Sequence, residues 1–269
     1  MQTIKLDNLA VETVFADAAS VPCSLLFIHG AGGTGRYWSH YLSYFGRRGW
    51  NAFALSLRGH SPSDREEGLA QITLEDYLDD VDKVLQRLNL RRVVLIGHSL
   101  GGLIAQKASE NRPSVAALVT LCSAPPLGIA MALHDDAPYA GMIIKTLWGL
   151  MNMKPVKTTF SLAEKTLLNN IEPERRKDVF DLFVAESLVV GYQVAQGYPV
   201  NPGRIACPKL VVGCGRDRVA PPEQQKALAA FLGADYREYP HLAHLPMLET
   251  DWKTVASDIA SWLIKNVEG

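Results

Sequence analysis

Short runs of β-branched residues and leucine recur along the chain, separated by stretches of helical periodicity, which is the rhythm of parallel strands joined by crossover helices. Two alternating segments near the start, Thr3 to Leu6 and Val11 to Ala16, predict an antiparallel hairpin. Six further runs follow: Leu25 to His29, Ala52 to Ser56, Val93 to Gly97, Ala117 to Cys122, Lys209 to Cys214 and the weaker Asp235 to Tyr239. Runs that are apolar throughout need cover on both faces and so mark central strands. Between them, amphipathic patterns predict helices over Tyr37 to Arg48, Thr73 to Leu88, Leu100 to Glu110, Pro222 to Phe231 and Trp252 to Lys265. The Thr73 helix starts with Thr-x-x-Asp, where the hydroxyl can accept a first-turn N–H and the carboxylate suits the positive helix end. Leu74, Tyr77, Leu78, Val81, Val84, Leu85 and Leu88 then form one apolar stripe. The fold class is α/β, with a mostly parallel eight-stranded sheet flanked by helices.

The rhythm breaks between Pro125 and Gly203, where helical patterns replace strands. Three pieces stand out: Met-rich Tyr139 to Met153, short Leu162 to Asn169, and an amphipathic helix from Pro173 to about Gln193. Pro199, Pro202 and Gly203 then return the chain to the sheet. The division that follows is a core of residues 1–124 and 204–269 with a helical cap inserted over 125–203.

Composition narrows the function classes. With 269 residues, 48% hydrophobic and 20% charged, the chain has material for one large core with an insertion. Its 27 basic residues are scattered among 28 acidic ones, so no long-range field draws in a polyanion, and nucleic acid is not an expected partner. Cys23, Cys122, Cys207 and Cys214 show no paired spacing, as in reduced thiols of a reducing compartment. The amino terminus lacks the apolar stretch of a signal peptide. The most apolar window, Met142 to Met153, contains Lys145 and falls short of the roughly 20 residues a spanning helix needs. The expectation is a cytoplasmic protein, monomer or homodimer, that acts on a small molecule away from membranes.

The strongest local signal is Gly97-His98-Ser99-Leu100-Gly101, directly after one strand pattern and directly before a helical one. This is the G-x-S-x-G nucleophile elbow in the strand, turn, helix context it requires. A turn that sharp strains the serine backbone and crowds its neighbours, so glycine is needed on either side. Ser99 then opens a helix, and the free N–H of Leu100 points toward any oxygen that becomes negative when the hydroxyl attacks a carbonyl. The second half of such an oxyanion hole is expected from the loop after Leu25 to His29, from the N–H of Ala31 or, as second choice, Gly32. A serine hydroxyl needs a base to take its proton. His244 follows the last strand pattern, and Asp217 follows Lys209 to Cys214. The chain order Ser, Asp, His is the one expected on this scaffold.

Several stretches together resemble the α/β-hydrolases that carry a helical cap. They are His29-Gly30 with the following glycines and Trp38, Leu57-Arg58-Gly59-His60-Ser61-Pro62-Ser63, Gly97 to Gly102, Gly213 to Asp217, and His244-Leu245-Pro246-Met247-Leu248-Glu249. The likeness runs from about Leu25 to Lys265 apart from the cap. It implies the α/β-hydrolase fold, a Ser99, Asp217, His244 triad, and an oxyanion hole from Ala31 and Leu100. The chain departs from the family pattern at Ser56, where Asp is common, and at Ala243, where Gly is common.

Other readings compete for the same residues. Gly30 to Gly35 also satisfies G-x-G-x-x-G, with Arg58 placed to hold a 2′-phosphate, as in an NADP-binding oxidoreductase. That reading leaves the elbow, Asp217 and His244 without a role. Ser99 as an ordinary helix N-cap would not need glycines on both sides. His241 rivals His244, but Pro246 and Glu249 follow His244 in the family spacing. A metal site at this histidine pair lacks a carboxylate or cysteine at ligand spacing beside it. Asp235 opens a strand and belongs at the far edge of the sheet, while His29, His60 and His98 read as structural or pocket-lining. In the cap, Trp148 and Met151 are candidates to line an apolar substrate pocket, although such residues equally pack a cap onto a core.

The function expected is hydrolysis of a carboxylic ester, or of a related acyl compound such as a thioester, through an acyl-enzyme, with no cofactor. Carbon–carbon bond hydrolases, hydroxynitrile lyases and cofactorless haloperoxidases use a similar triad. Epoxide hydrolases and haloalkane dehalogenases of this fold use an aspartate nucleophile, which Ser99 disfavours. A non-catalytic ligand receptor is the remaining class.

Overall fold

The computed structural model describes residues 1–17, 21–131 and 154–267. Its strands are β1 (Gln2–Leu6), β2 (Leu9–Val14), β3 (Ser24–Ile28), β4 (Ala52–Ser56), β5 (Val93–His98), β6 (Val115–Leu121), β7 (Lys209–Cys214) and β8 (Asp235–Tyr239). They form one eight-stranded sheet in the order β1-β2-β4-β3-β5-β6-β7-β8. The β1–β2 and β2–β4 pairs are antiparallel and all others parallel.

Register decides where the loops emerge. Ile28 pairs with Gly97, His98 with Leu121, and Cys214 with Tyr239, so the carboxyl ends of β3, β5, β6, β7 and β8 finish along one edge. Ligand sites of open α/β sheets form at that edge.

Alternation along the central strands divides the core in two, because successive side chains leave a strand on opposite faces. Leu25, Phe27, Val94, Ile96, Val119, Leu210 and Val212 face one side. There they pack with α1 (Ser39–Gly46) and with the last helix, Trp252–Val267. Leu26, Ile28, Val93, Leu95, Leu118 and Val211 face the other, against α2 (Leu74–Arg87), α3 (Leu100–Ala108) and the helix Pro222–Leu232. Helix α2 starts on the expected capping box: Thr73 Oγ1 accepts from Asp76 N–H, and Thr73 N–H donates to the Asp76 carboxylate. The pattern over Tyr37 to Arg48 resolves into a 3-10 turn, Gly35–Trp38, and then α1.

Between β6 and β7 the described residues hold α4 (Phe160–Thr166), α5 (Arg176–Asp181) and α6 (Leu188–Gln196). The continuous helix expected from Pro173 to Gln193 is broken. A 3-10 turn, Pro173–Arg175, precedes α5, and residues 182–187 leave the helix so that Glu186 pairs with Val156 in an antiparallel bridge. Ser187 explains where α6 begins. Its hydroxyl accepts from Val190 N–H at the new N-terminus and donates to the Ile72 carbonyl of the core, at 2.6 Å. Tertiary hydrogen bonds thus override the helical periodicity. The whole Met-rich stretch Tyr139 to Met153, including Trp148 and Met151, lies outside the described residues.

Candidate active site

β5 delivers His98 to the sheet edge, and α3 begins two residues later. Ser99 bridges them at φ 51°, ψ −120°, a left-handed conformation that costs a non-glycine residue on the order of 1–3 kcal/mol. Small neighbours make the turn possible: a Cβ on Gly101 would stand 2.3 Å from the Ile28 carbonyl oxygen, and one on Gly102 2.4 Å from Ser123 Oγ. The Ser99 side chain makes no capping bond to α3. Instead its Oγ lies 3.2 Å from His244 Nε2, and His244 Nδ1 lies 2.8 Å from Asp217 Oδ2. With Nδ1–H donating to the carboxylate, Nε2 is left with the lone pair that can accept the Ser99 proton.

Each member of this chain is held from behind. The other carboxylate oxygen of Asp217, Oδ1, accepts N–H bonds from Val219 at 2.7 Å and Ala220 at 2.9 Å. Burial alone would push the Asp217 carboxyl up, but His244 and these N–H groups outweigh it and hold the carboxyl below its usual range. The His244 loop is tied through Glu249, whose carboxylate accepts from Ala243 N–H at 3.0 Å and from Asn170 Nδ2. Asn170 also donates to the His241 carbonyl, and its own side-chain oxygen accepts from Arg216. One asparagine between β6 and β7 therefore tethers both loops that carry His244 and Asp217.

On the other side of Ser99 lies the loop after β3. A Cβ on Gly30 would stand 2.9 Å from the Ser99 Cβ and 2.8 Å from His98 Nδ1, so glycine lets this backbone lie against Ser99. Among the described residues the N–H groups of Ala31 and Leu100 make no hydrogen bond. The N–H of Gly32, the second choice for an oxyanion donor, is engaged instead with Glu186 Oε2 at 3.0 Å.

Among the described residues, the three other buried histidines sit around this centre. His98 Nε2–H donates to the His244 carbonyl at 2.7 Å, and His29 Nδ1–H donates to the Gly30 carbonyl at 2.8 Å. Burial holds both rings neutral, with pKa values lowered to about 3. His60 differs, because Arg58 O and Glu186 Oε2 face its two ring nitrogens at 3.0 and 3.2 Å. Only a doubly protonated ring donates to both. Although burial opposes the charge, Glu186 prevails and raises the His60 pKa. His241 turns away to Asp251, and Asp235 receives Trp262 Nε1–H at the sheet's far end.

Arg58 is committed elsewhere than to a phosphate: its Nε donates to Asp80 at 2.8 Å and its Nη1 to Asp76 at 3.0 Å. The fold also brings a cysteine beside the histidine, which the spacing along the chain does not show. Donor atoms of Cys122, Asp217 and His244 lie within 4.8 Å of one another. Burial pushes the Cys122 thiol well up, and the nearby Cys214 and Asp217 push it in the same direction. Glu186, Glu249 and Asn170 carry no motif of their own; only Glu249 is hinted at, by its spacing after His244.

Residues 25–258 match the alpha/beta hydrolase family. The chain belongs to that family. It is similar to Protein ABHD8 of Bos taurus, 25% identical over 214 residues, which covers 77% of this chain and 48% of that protein. The chain thus spans about half the length of those relatives. A monoacylglycerol lipase of Mycolicibacterium smegmatis is 25% identical over 247 residues, covering 87% of this chain and 84% of that one. Among solved structures, a thermophilic esterase from Thermogutta terrifontis superposes with a TM-score of 0.75 at 21% identity, over 99% of this chain and all of that one, a likeness of fold. No helix among the described residues is long and apolar enough to cross a membrane.

Proposed function

We propose that this hydrolase cleaves carboxylic esters, or related acyl compounds such as thioesters, by a serine mechanism. The observation that carries the reading is the unbroken run from Ser99 Oγ through the His244 ring to a buried Asp217 carboxylate. A serine on an elbow, a base at its hydroxyl and an acid fixing the base's tautomer are the three parts an activated nucleophile needs. The acyl chemistry named for the Mycolicibacterium lipase and the Thermogutta esterase points the same way.

In acylation, His244 Nε2 takes the Ser99 proton as Oγ bonds to the substrate carbonyl carbon. The resulting oxyanion rests on the N–H groups of Ala31 and Leu100. Collapse of the tetrahedral intermediate breaks the bond to the leaving oxygen or sulfur, which receives the proton from His244. A water then gives its proton to His244, attacks the acyl carbon and frees the acid, returning the proton to Ser99. These steps ask nothing of a cofactor. Residues 125–203 serve in this reading as a cap over a core of 1–124 and 204–269, with Trp148 and Met151 as candidates to line an apolar pocket.

The test is covalent labelling by a fluorophosphonate, together with turnover across a panel of p-nitrophenyl esters of increasing acyl length, a thioester and a carbon–carbon bond substrate. Wild type should label and turn over an ester or thioester, and Ser99→Ala should lose label and on the order of 10⁴-fold or more of its turnover. Near-normal esterase activity in Ser99→Ala would end the proposal. Turnover of the carbon–carbon substrate alone would keep the triad and change the reaction.

A further inference from the structure

Glu186 lies between β6 and β7, far along the chain from the loop after β3, yet its carboxylate is bound into that loop. Oε2 accepts from Gly32 N–H at 3.0 Å and from His60 Nε2–H at 3.2 Å. Oε1 accepts from the Tyr77 hydroxyl at 2.6 Å and from Ser187 N–H at 2.7 Å. Four donors, three of them from distant parts of the chain and the fourth the N–H of the adjacent Ser187, thus converge on one carboxylate. A second bond comes from the same stretch: Val184 N–H donates to the Gly32 carbonyl at 2.8 Å. Both polar groups of Gly32 are therefore held by residues 184–186. The residue must be glycine, since its φ is +63° and a Cβ would stand 2.9 Å from the Val184 carbonyl oxygen.

The preceding peptide is fixed by the core. Gly30 O accepts from His29 Nδ1–H at 2.8 Å and from Gly33 N–H at 3.0 Å. In a planar trans peptide the carbonyl and the next N–H point in opposite directions, so this also sets the direction of the Ala31 N–H. Ala31 is then bracketed, by the core on its amino side and by Glu186 on its carboxyl side. A bare carboxylate beside an oxyanion hole would oppose the charge that develops there, and the His60 imidazolium offsets it.

We propose that Glu186 is a positioning residue for the oxyanion hole: by anchoring Gly32 it holds the carboxyl side of Ala31, whose N–H the core directs, so that residues inserted between β6 and β7 complete a catalytic element of the core. The proposal rests on the serine-hydrolase reading above. Preorganised donors act only if they stand where the oxyanion forms, and misplacement by about 1 Å is worth on the order of 10²-fold in rate.

Two variants test it. Glu186→Gln keeps the shape, but its amide nitrogen must face one of two pairs of donors; Glu186→Asp keeps the charge and shortens the reach. Each is compared with wild type for kcat and KM on a short p-nitrophenyl ester. Thermal stability and affinity for a trifluoromethyl ketone, whose adduct with serine carries an oxyanion, are measured alongside. The result expected for Glu186→Gln is a loss of about 10²-fold in kcat with KM within about threefold, and a parallel loss of ketone affinity. Glu186→Asp should recover part of both. If either folded variant melts lower yet keeps wild-type ketone affinity and kcat, Glu186 is a structural anchor only and the proposal is overturned. Should Glu186→Gln fail to fold, Glu186→Asp alone decides by the same ratio. Fluorophosphonate labelling of wild type, absent in Ser99→Ala, separates the two failures: without it the serine reading and this proposal fall together, and with it only the Glu186 comparison is at stake.

Discussion

The α-carbon of Gly97 faces the Gly101 carbonyl so closely that a Cβ at residue 97 would stand 2.1 Å from that oxygen and 2.7 Å from the Gly102 Cα. Both obstacles are backbone, and one end of the turn is a buried strand, so no side-chain rotation relieves the clash. Gly97→Ala should therefore cost at least about 3 kcal/mol, by overpacking and by strain at the elbow. Denaturant titration checks it. A variant that melts within about 2 °C of wild type would mean that the elbow is more pliable than its geometry shows.

Asp217→Asn keeps the volume of the acid and removes its charge. The two N–H donors from Val219 and Ala220 select the amide oxygen for the Oδ1 position, which turns the amide NH₂ toward His244 Nδ1. His244 must then carry its proton on Nε2 and can no longer accept one from Ser99. A fall in kcat on the order of 10³- to 10⁴-fold is expected, read by steady-state ester hydrolysis. Loss of less than tenfold would show that another group orients the ring.

The Asp80 side chain is 1% exposed and is bound by the Arg58 guanidinium at 2.7 Å and by the Arg58 backbone N–H at 2.8 Å. Arg58→Ala leaves that carboxylate buried without its cation, a change that typically costs about 3–5 kcal/mol. Burial already raises the Asp80 pKa against the pull of Arg58, and removing Arg58 raises it further. The variant's deficit should therefore be deeper at about pH 8, where the group must ionise, than at about pH 5. Urea unfolding at the two pH values measures this. Equal deficits would place the cost in lost packing instead.

The His60–Glu186 pair gives stability a pH window. His60 has a pKa raised above 6.5, so its contribution is complete below pH 6.5 and is lost as pH climbs through the raised value. Glu186 is lowered from 4.5 to about 2, so its contribution is complete above pH 4.5 and is lost as pH falls toward about 2. The groups facing this pair are neutral His29, Tyr77, and the Arg58–Asp80 pair. The Tm advantage of wild type over Glu186→Gln should then be widest between pH 4.5 and pH 6.5 and should shrink on both sides. An advantage that stays flat from about pH 4 to pH 9 would show that the pair does not titrate as its contacts require.

Periodicity along the chain was enough to place all eight strands and the core helices, because burial on two faces forces continuous apolar runs and burial on one face forces a stripe. The elbow was legible for the same reason: a strained turn between strand and helix admits few residues, and Gly97, Ser99 and Gly101 announce it. His244 and Asp217 could be chosen from chain order and from position after a strand. Their meeting at 2.8 Å, and the 3.2 Å to Ser99, depend on parallel register, which aligns the ends of strands far apart in sequence. Glu186, Asn170 and Cys122 lay beyond sequence reading altogether. Glu186 sits in a stretch whose polar and apolar positions fit a continuous helix, and only the pairing with Val156 and the three donors from elsewhere, Gly32, His60 and Tyr77, break that helix and turn the carboxylate inward. Local pattern records which face of an element is buried. Which distant polar group will meet a buried charge is decided by tertiary packing, where an unpartnered carboxylate costs too much to remain.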